Sequence, residues 1–118
     1  MKRTVLLLLL LVAALPASAA ELYIDLRTDY VAGTDFSMVR VQLFDQRDER
    51  RSWHTLRSAG TGDFLRGERV AELENVDRGV YFLSVELLDH LMRPVHGRIW
   101  IYHMGDRAEA TVALIARP

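Results

Sequence analysis

The chain has 118 residues, with 15 Lys or Arg, 16 Asp or Glu and no cysteine. That length holds one domain and no more, and a near-neutral balance without a basic block argues against a nucleic-acid binder, whose affinity comes mainly from phosphate contacts. The lack of cysteine excludes disulfide staples, Cys-based zinc sites and a lipid-modified cysteine.

The first twenty residues have the order of an export signal. Lys2 and Arg3 form a cationic start, Val5 to Leu15 is an unbroken apolar run, Pro16 breaks it, and Ala17-Ser18-Ala19-Ala20 supplies small residues. As a helix the run would span about 16 Å, against about 30 Å for a bilayer core, which is too short for an anchor. Residues 1–20 are expected to be a signal peptide cut after Ala19 or Ala20. Residues 21–118 are then one exported domain, periplasmic or extracellular, with no membrane insertion after cleavage. Losing Lys2 and Arg3 shifts the balance further to the acidic side and leaves arginine as the only strongly basic type.

Beyond residue 20 the apolar period is two, the signature of half-buried strands. Leu22, Ile24 and Leu26 alternate with Tyr23, Asp25 and Arg27, and Ala32-Gly33-Thr34-Asp35 turns the chain. A second strand is expected over about Phe36 to Phe44, with Val39, Val41 and Leu43 on one face. Asp45 to Arg51 is polar throughout and reads as a solvated hairpin loop. Ser52 to Arg57 is a third strand, with Trp53 and Thr55 on one face and His54 and Leu56 on the other. Ser58 to Asp63, rich in small residues, reads as the longest mobile loop. Arg69 to Leu73 is a short strand. Gly79 opens the strongest one, in which Tyr81, Leu83, Val85 and Leu87 alternate with Phe82, Ser84 and Glu86. Asp89 to Pro94 turns, Val95 to Met104 returns, Gly105-Asp106 turns again, and Glu109 to Ala116 closes the series. The pattern predicts an all-β sandwich of about seven strands.

One motif carries further structural information. Leu73-Glu74-Asn75-Val76-Asp77-Arg78-Gly79-Val80-Tyr81 fits L-x-x-V-x-x-G-x-Y. It resembles the tyrosine corner of Greek-key sandwiches, in which a Tyr at a strand start bonds back to upstream backbone. Leu73 and Val76 would point into the core, and Gly79 would take a conformation that a Cβ disfavours. With the continuation to Asp89 and the hairpin to Arg93-Pro94-Val95, the stretch from about Val39 to Leu114 looks like bacterial immunoglobulin-like modules of the prealbumin-like or carboxypeptidase-regulatory type. Such hairpins commonly carry a Gly where this chain has Met92. Trp53 would take the place of the buried Trp on the third strand. The resemblance implies a Greek-key immunoglobulin-like sandwich and says almost nothing about activity.

No residue set suggests catalysis, and no cofactor is implied. Ser84 sits mid-strand outside any nucleophile elbow, and Ser52 with His54 lacks an acid to orient the imidazole. Asp48-Glu49 and the pair Glu72 and Glu74 lack a cleft in so small a sandwich. His54, His90, His96 and His103, with Met38, Met92 and Met104, offer ligand types that suit copper, but their spacing matches no metal motif. The aromatic residues are the more useful surface signal. If Ile99 and Ile101 fill the core, then Phe82, Trp100 and Tyr102 share an outward face suited to a protein or glycan partner. The expected function is an exported, non-catalytic accessory binding or structural module of the cell envelope. The alternative is a small-ligand or copper carrier of the same fold.

Overall fold

A computed structural model describes residues 21–105 and 108–115. The expected signal segment, 1–20, lies outside the described residues, as do Asp106 and Ala116. The described residues form seven strands and no helix: β1 (Leu22–Thr28), β2 (Met38–Asp45), β3 (Ser52–Ser58), β4 (Glu68–Leu73), β5 (Gly79–Leu88), β6 (Pro94–Met104) and β7 (Glu109–Leu114). They assemble as a three-stranded sheet in the order β4-β1-β7 and a four-stranded sheet in the order β3-β2-β5-β6. The all-β, two-sheet expectation holds, and the second strand starts two residues later than anticipated.

Alternation builds each layer. Leu22, Ile24 and Leu26 of β1 are fully buried, as are Val41 and Leu43 of β2 and Leu83, Val85 and Leu87 of β5. Side chains of this size contribute roughly 1.5–3 kcal/mol each when removed from water. β1 runs through the interior of its sheet, and β2 and β5 through the interior of theirs. β1 pairs antiparallel with β4 and parallel with β7, which ties the two ends of the domain into one sheet. At the end of β1 the buried Thr28 donates its hydroxyl to the Leu114 carbonyl and accepts from the Tyr30 N–H at 3.2 Å.

The connection from β4 to β5 carries the chain from one sheet to the other. Leu73 and Val76 are buried there, and the Tyr81 hydroxyl donates to the Asp77 carbonyl. The tyrosine-corner bond expected from the motif is therefore present. The role given to Gly79 is corrected. The left-handed residue of this turn is Asn75, with φ 59°, whereas Gly79 is not in that region. Gly79 is small for another reason: a Cβ would come within 2.7 Å of Nη2 of Arg47.

The polar run 45–51 is only partly solvated. Asp45 is buried and accepts from the Arg47 N–H at 2.9 Å. Arg51 bridges to Asp77 at 2.8 Å and donates to the Asn75 carbonyl at 3.1 Å. The segment after β3 is likewise held at both ends. The Ala59 N–H bonds the Ser37 carbonyl at 2.8 Å, and the Phe64 carbonyl accepts from Thr28 at 3.0 Å.

The β5–β6 hairpin is a type I turn closed by a left-handed residue. The Met92 N–H bonds the Asp89 carbonyl at 2.9 Å, and Met92 has φ 63°. That position ordinarily takes Gly, because a Cβ crowds the backbone there. Met92 is exposed, so its side chain offsets little of the cost. Met92→Gly is expected to raise stability in urea unfolding by about 0.5–1 kcal/mol. A Met92→Ala control should stay near the parent, and equal stability of the Gly and Ala variants would contradict the turn assignment.

Two carboxylates hold turns and titrate low. Asp45 lies below the ordinary aspartate range, chiefly through the Arg47 backbone N–H, with the Arg47 and Arg51 guanidiniums adding to it against the opposing effect of burial. Asp89 is lowered chiefly by the Arg93 backbone N–H. A depressed folded value means the contribution is complete above the unfolded pKa, about 3.9. It is lost as pH falls through the lower folded value. Melting temperature should therefore decline steeply below about pH 4, and Asp45→Asn should flatten that decline. An identical acid limb in Asp45→Asn would show that Asp45 does not carry it.

Candidate functional site

The register of the four-stranded sheet defines its outer face residue by residue. One row across the strands is Ser52, Phe44, Phe82 and Ile101. The next is His54, Gln42, Ser84 and Ile99, and the third is Leu56, Arg40, Glu86 and Gly97. Directly opposed side chains lie about 5 Å apart at their Cβ atoms, so each row is continuous. Phe44 is 40% exposed, Phe82 41%, Ile99 64% and Ile101 61%. Four large apolar side chains therefore adjoin one another on a solvent-facing surface.

The patch has defined borders. Arg40 donates to Oε1 of Glu86 from Nε at 3.0 Å and from Nη2 at 2.7 Å, closing one end with a compact ion pair. Opposite Glu86 sits Gly97, where a Cβ would lie 2.8 Å from Cγ of Glu86. The missing side chain leaves a shallow depression lined by Gln42, Phe44, Ser84, Glu86, Arg98 and Ile99. Ser84 is buried on the floor of this depression. His54 and Ser52 stand on the same face along the β3 edge, both exposed.

The outer face of the other sheet is different in kind. There Arg69 bonds Asp25, reaches Glu72 at 3.7 Å, and lies 4.7 Å from the Tyr23 ring centroid. Arg69 is held more firmly protonated, chiefly by its bond to Asp25. The Tyr23 hydroxyl is pushed up, chiefly by its hydrogen bond to the Glu21 carboxylate. That face is polar and internally paired.

The expected surface of Phe82, Trp100 and Tyr102 does not form. Phe82 pairs with Ile101, whereas Leu83 pairs with Trp100 and Tyr81 with Tyr102. Phe82 thus faces outward, and the two aromatics of β6 face the sandwich interior, half-buried. Ile99 and Ile101 take the outward places. The cause is a single β-bulge. Leu88 pairs with Pro94, but Leu87 pairs with His96, so Val95 is an extra residue. A slip of one residue moves every side chain beyond it to the other face. The aromatics also suit the space they enter, since β6 overhangs the narrower sheet beside β7. Trp100 and Tyr102 line a slot there with Leu83, Ala110 and Val112, and the Tyr102 hydroxyl bonds the Glu109 carbonyl at 3.3 Å.

The histidines are dispersed. His54 and His103 lie on the outer face, His90 lies in the hairpin turn, and His96 stacks on Tyr30 at 5.2 Å. Among the described residues, no three His, Cys, Asp or Glu gather where they could hold a metal ion. Protein-family models, curated proteins and solved structures give no match to this chain.

Proposed function

We propose that this chain is an exported, non-catalytic immunoglobulin-like module of the prealbumin-like type, and that it binds a protein of the cell envelope through the outer face of the four-stranded sheet. The observation that carries the reading is the exposed row of Phe44, Phe82 and Ile101, extended by Ile99. A contiguous apolar surface of this kind costs solubility unless a partner covers it. The ion-paired outer face of the other sheet makes the asymmetry meaningful, because only one face carries this load.

Protein is favoured over glycan. Sugar rings stack on flat aromatic faces, and the two largest such groups of β6, Trp100 and Tyr102, are turned inward. What remains outside mixes Phe with Ile, a combination that fits an apolar protein surface. The likeness in class rests on the strand arrangement and on the Tyr81 bond to Asp77. Export rests on the order of charges, apolar run and small residues in 1–20.

Photocrosslinking tests this. A photoreactive phenylalanine at position 82, in cells expressing the full chain, is expected to give one discrete adduct in the envelope fraction. The same probe at Glu72, on the other outer face, is expected to give none. Ile101→Glu in the position-82 background should abolish the adduct without lowering the melting temperature. Adducts of equal yield at both positions, or one indifferent to Ile101→Glu, would reject the reading.

A further inference from the structure

The connections at one end of the sandwich differ in kind from those at the other. β1 and β7 end where β4 begins, and β2 begins where β3 and β5 end and β6 starts. The Ala59 N–H bonds the Ser37 carbonyl and the Ser37 N–H bonds the Leu88 carbonyl, both at 2.8 Å, and the Thr28 N–H bonds the Phe64 carbonyl at 3.0 Å. Segments 29–37, 59–67 and 89–93 therefore meet at this end, with Ile115 beside them where β7 stops. Each segment presents apolar side chains to water: Val31, Leu65, Leu91 with Met92, and Ile115 are all exposed. At the opposite end, the described residues of 46–51, 74–78 and 105–108 expose no large apolar side chain. Single apolar residues on a surface are ordinary, but their segregation to one end is not.

The three loops hold their apolar tips in the same way. An aspartate of the loop accepts from the N–H of the exposed residue itself: Asp35 from Val31 at 2.7 Å, Asp63 from Leu65 at 3.2 Å and Asp89 from Leu91 at 2.9 Å. The Val31 carbonyl accepts from the Asp35 N–H at 2.7 Å, and the Leu65 carbonyl from Nε of Arg27 at 3.3 Å. Backbone groups at the tips are thus paired within the protein, which lowers the cost of taking them out of water. Met92 keeps a left-handed φ of 63° where glycine would be less strained, and so places one more apolar side chain at the hairpin tip.

We infer that this end docks on the surface of a zwitterionic phospholipid bilayer, with Val31, Leu65, Leu91, Met92 and Ile115 entering the boundary between headgroups and acyl chains. Side-chain type favours lipid over protein. The tips are aliphatic, whereas protein hot spots are rich in Trp, Tyr and Arg and poor in Leu and Val. Charge selects the lipid. The three loops hold Asp29, Asp35, Asp63 and Asp89 against Arg66 and Arg93, an acidic balance that anionic headgroups repel. Arg66 lies 3.6 Å from Asp63, and Arg93 lies 2.9 Å from Asp89. Each pair offers a guanidinium to a headgroup phosphate and a carboxylate to its ammonium. The contact is shallow, about 5–10 Å deep, and no segment spans the bilayer. The strands then stand upright on the membrane and leave the outer face of the four-stranded sheet open. This inference does not depend on the proposed function, which uses that face.

Vesicle flotation tests it, with protein from the exported fraction of cells expressing the full chain. Binding to equimolar phosphatidylethanolamine and phosphatidylcholine is expected. Leu65→Ser and Leu91→Ser should each weaken it about tenfold, and together about a hundredfold, with unchanged melting temperatures because both side chains are exposed. Salt should leave binding unchanged, and phosphatidylglycerol in place of phosphatidylethanolamine should weaken it. The chain has no cysteine, so a polarity-sensitive dye on Leu65→Cys reports the contact directly. Its emission should shift to the blue when vesicles are added, and the same dye on Glu49→Cys, at the other end, should not shift. Absence of binding would overturn the inference, as would binding indifferent to the double serine variant or binding that requires phosphatidylglycerol and is lost in salt. An equal dye shift at both positions would do the same. A photoreactive residue at position 65 that captures one envelope protein, in a chain that ignores vesicles, would assign this end to a protein instead.

Discussion

The fold depends on how the chain crosses from β4 to β5. That crossover takes backbone away from both sheets, so its carbonyls need partners from elsewhere. Side chains supply them. The Glu74 carbonyl accepts from Nε1 of Trp53 at 2.9 Å, the Asn75 carbonyl from Arg51, and the Asp77 carbonyl from the Tyr81 hydroxyl. The donors come from the start of β3, the residue before it, and the start of β5. Each such bond contributes about 1 kcal/mol, and together they fix where β5 begins. The Trp53 and Tyr81 rings meet edge-on with centroids 5.9 Å apart, and the Arg51 guanidinium lies 5.0 Å from the Trp53 centroid. The buried Asp45 then anchors Arg47 and Arg51 behind them.

From that anchor the candidate surface follows by register. With Tyr81 facing inward, Phe82 must face outward and meets Phe44 across β2. The bulge at Val95 then decides which residues of β6 join them. Without it, the turn register would set Ile99 opposite Leu83 and leave Trp100 and Tyr102 outside. One unpaired residue thus exchanges an aromatic row of β6 for an aliphatic one on the outer face and moves Trp100 and Tyr102 beside β7. The same step shapes both the apolar outer face and the slot beside β7.

Much of this was legible in the residues. Strict alternation in Leu22–Leu26 and Tyr81–Leu87 located β1 and β5, two of the three interior strands, because a strand buried on one face imposes period two. L-x-x-V-x-x-G-x-Y located the crossover and its hydroxyl bond. Other features were hidden for physical reasons. Position 97 looks like a turn former, yet Gly97 lies within β6 and its small size accommodates Glu86. Asp45 sits in a run of charges, and only the fold brings its neighbours Arg47 and Arg51 over the crossover. The bulge has no composition of its own: Val95 is an ordinary strand residue. Preference for β-branched core residues therefore placed Ile99 and Ile101 inside, and pairing geometry overrode it. The best clue available was the turn itself, since Asp89, Met92 and Pro94 mark a hairpin whose register could have been counted both with and without a bulge.

The Tyr81 hydroxyl is the narrowest point of the account, because it joins the crossover to the strand that organises the outer face. Urea unfolding of Tyr81→Phe isolates it, since the ring and its contact with Trp53 remain. A loss of about 1 kcal/mol or more, with an unchanged denaturant slope, is the result the account predicts. Stability within about 0.3 kcal/mol of the parent would contradict it, as that is less than a satisfied hydrogen bond contributes.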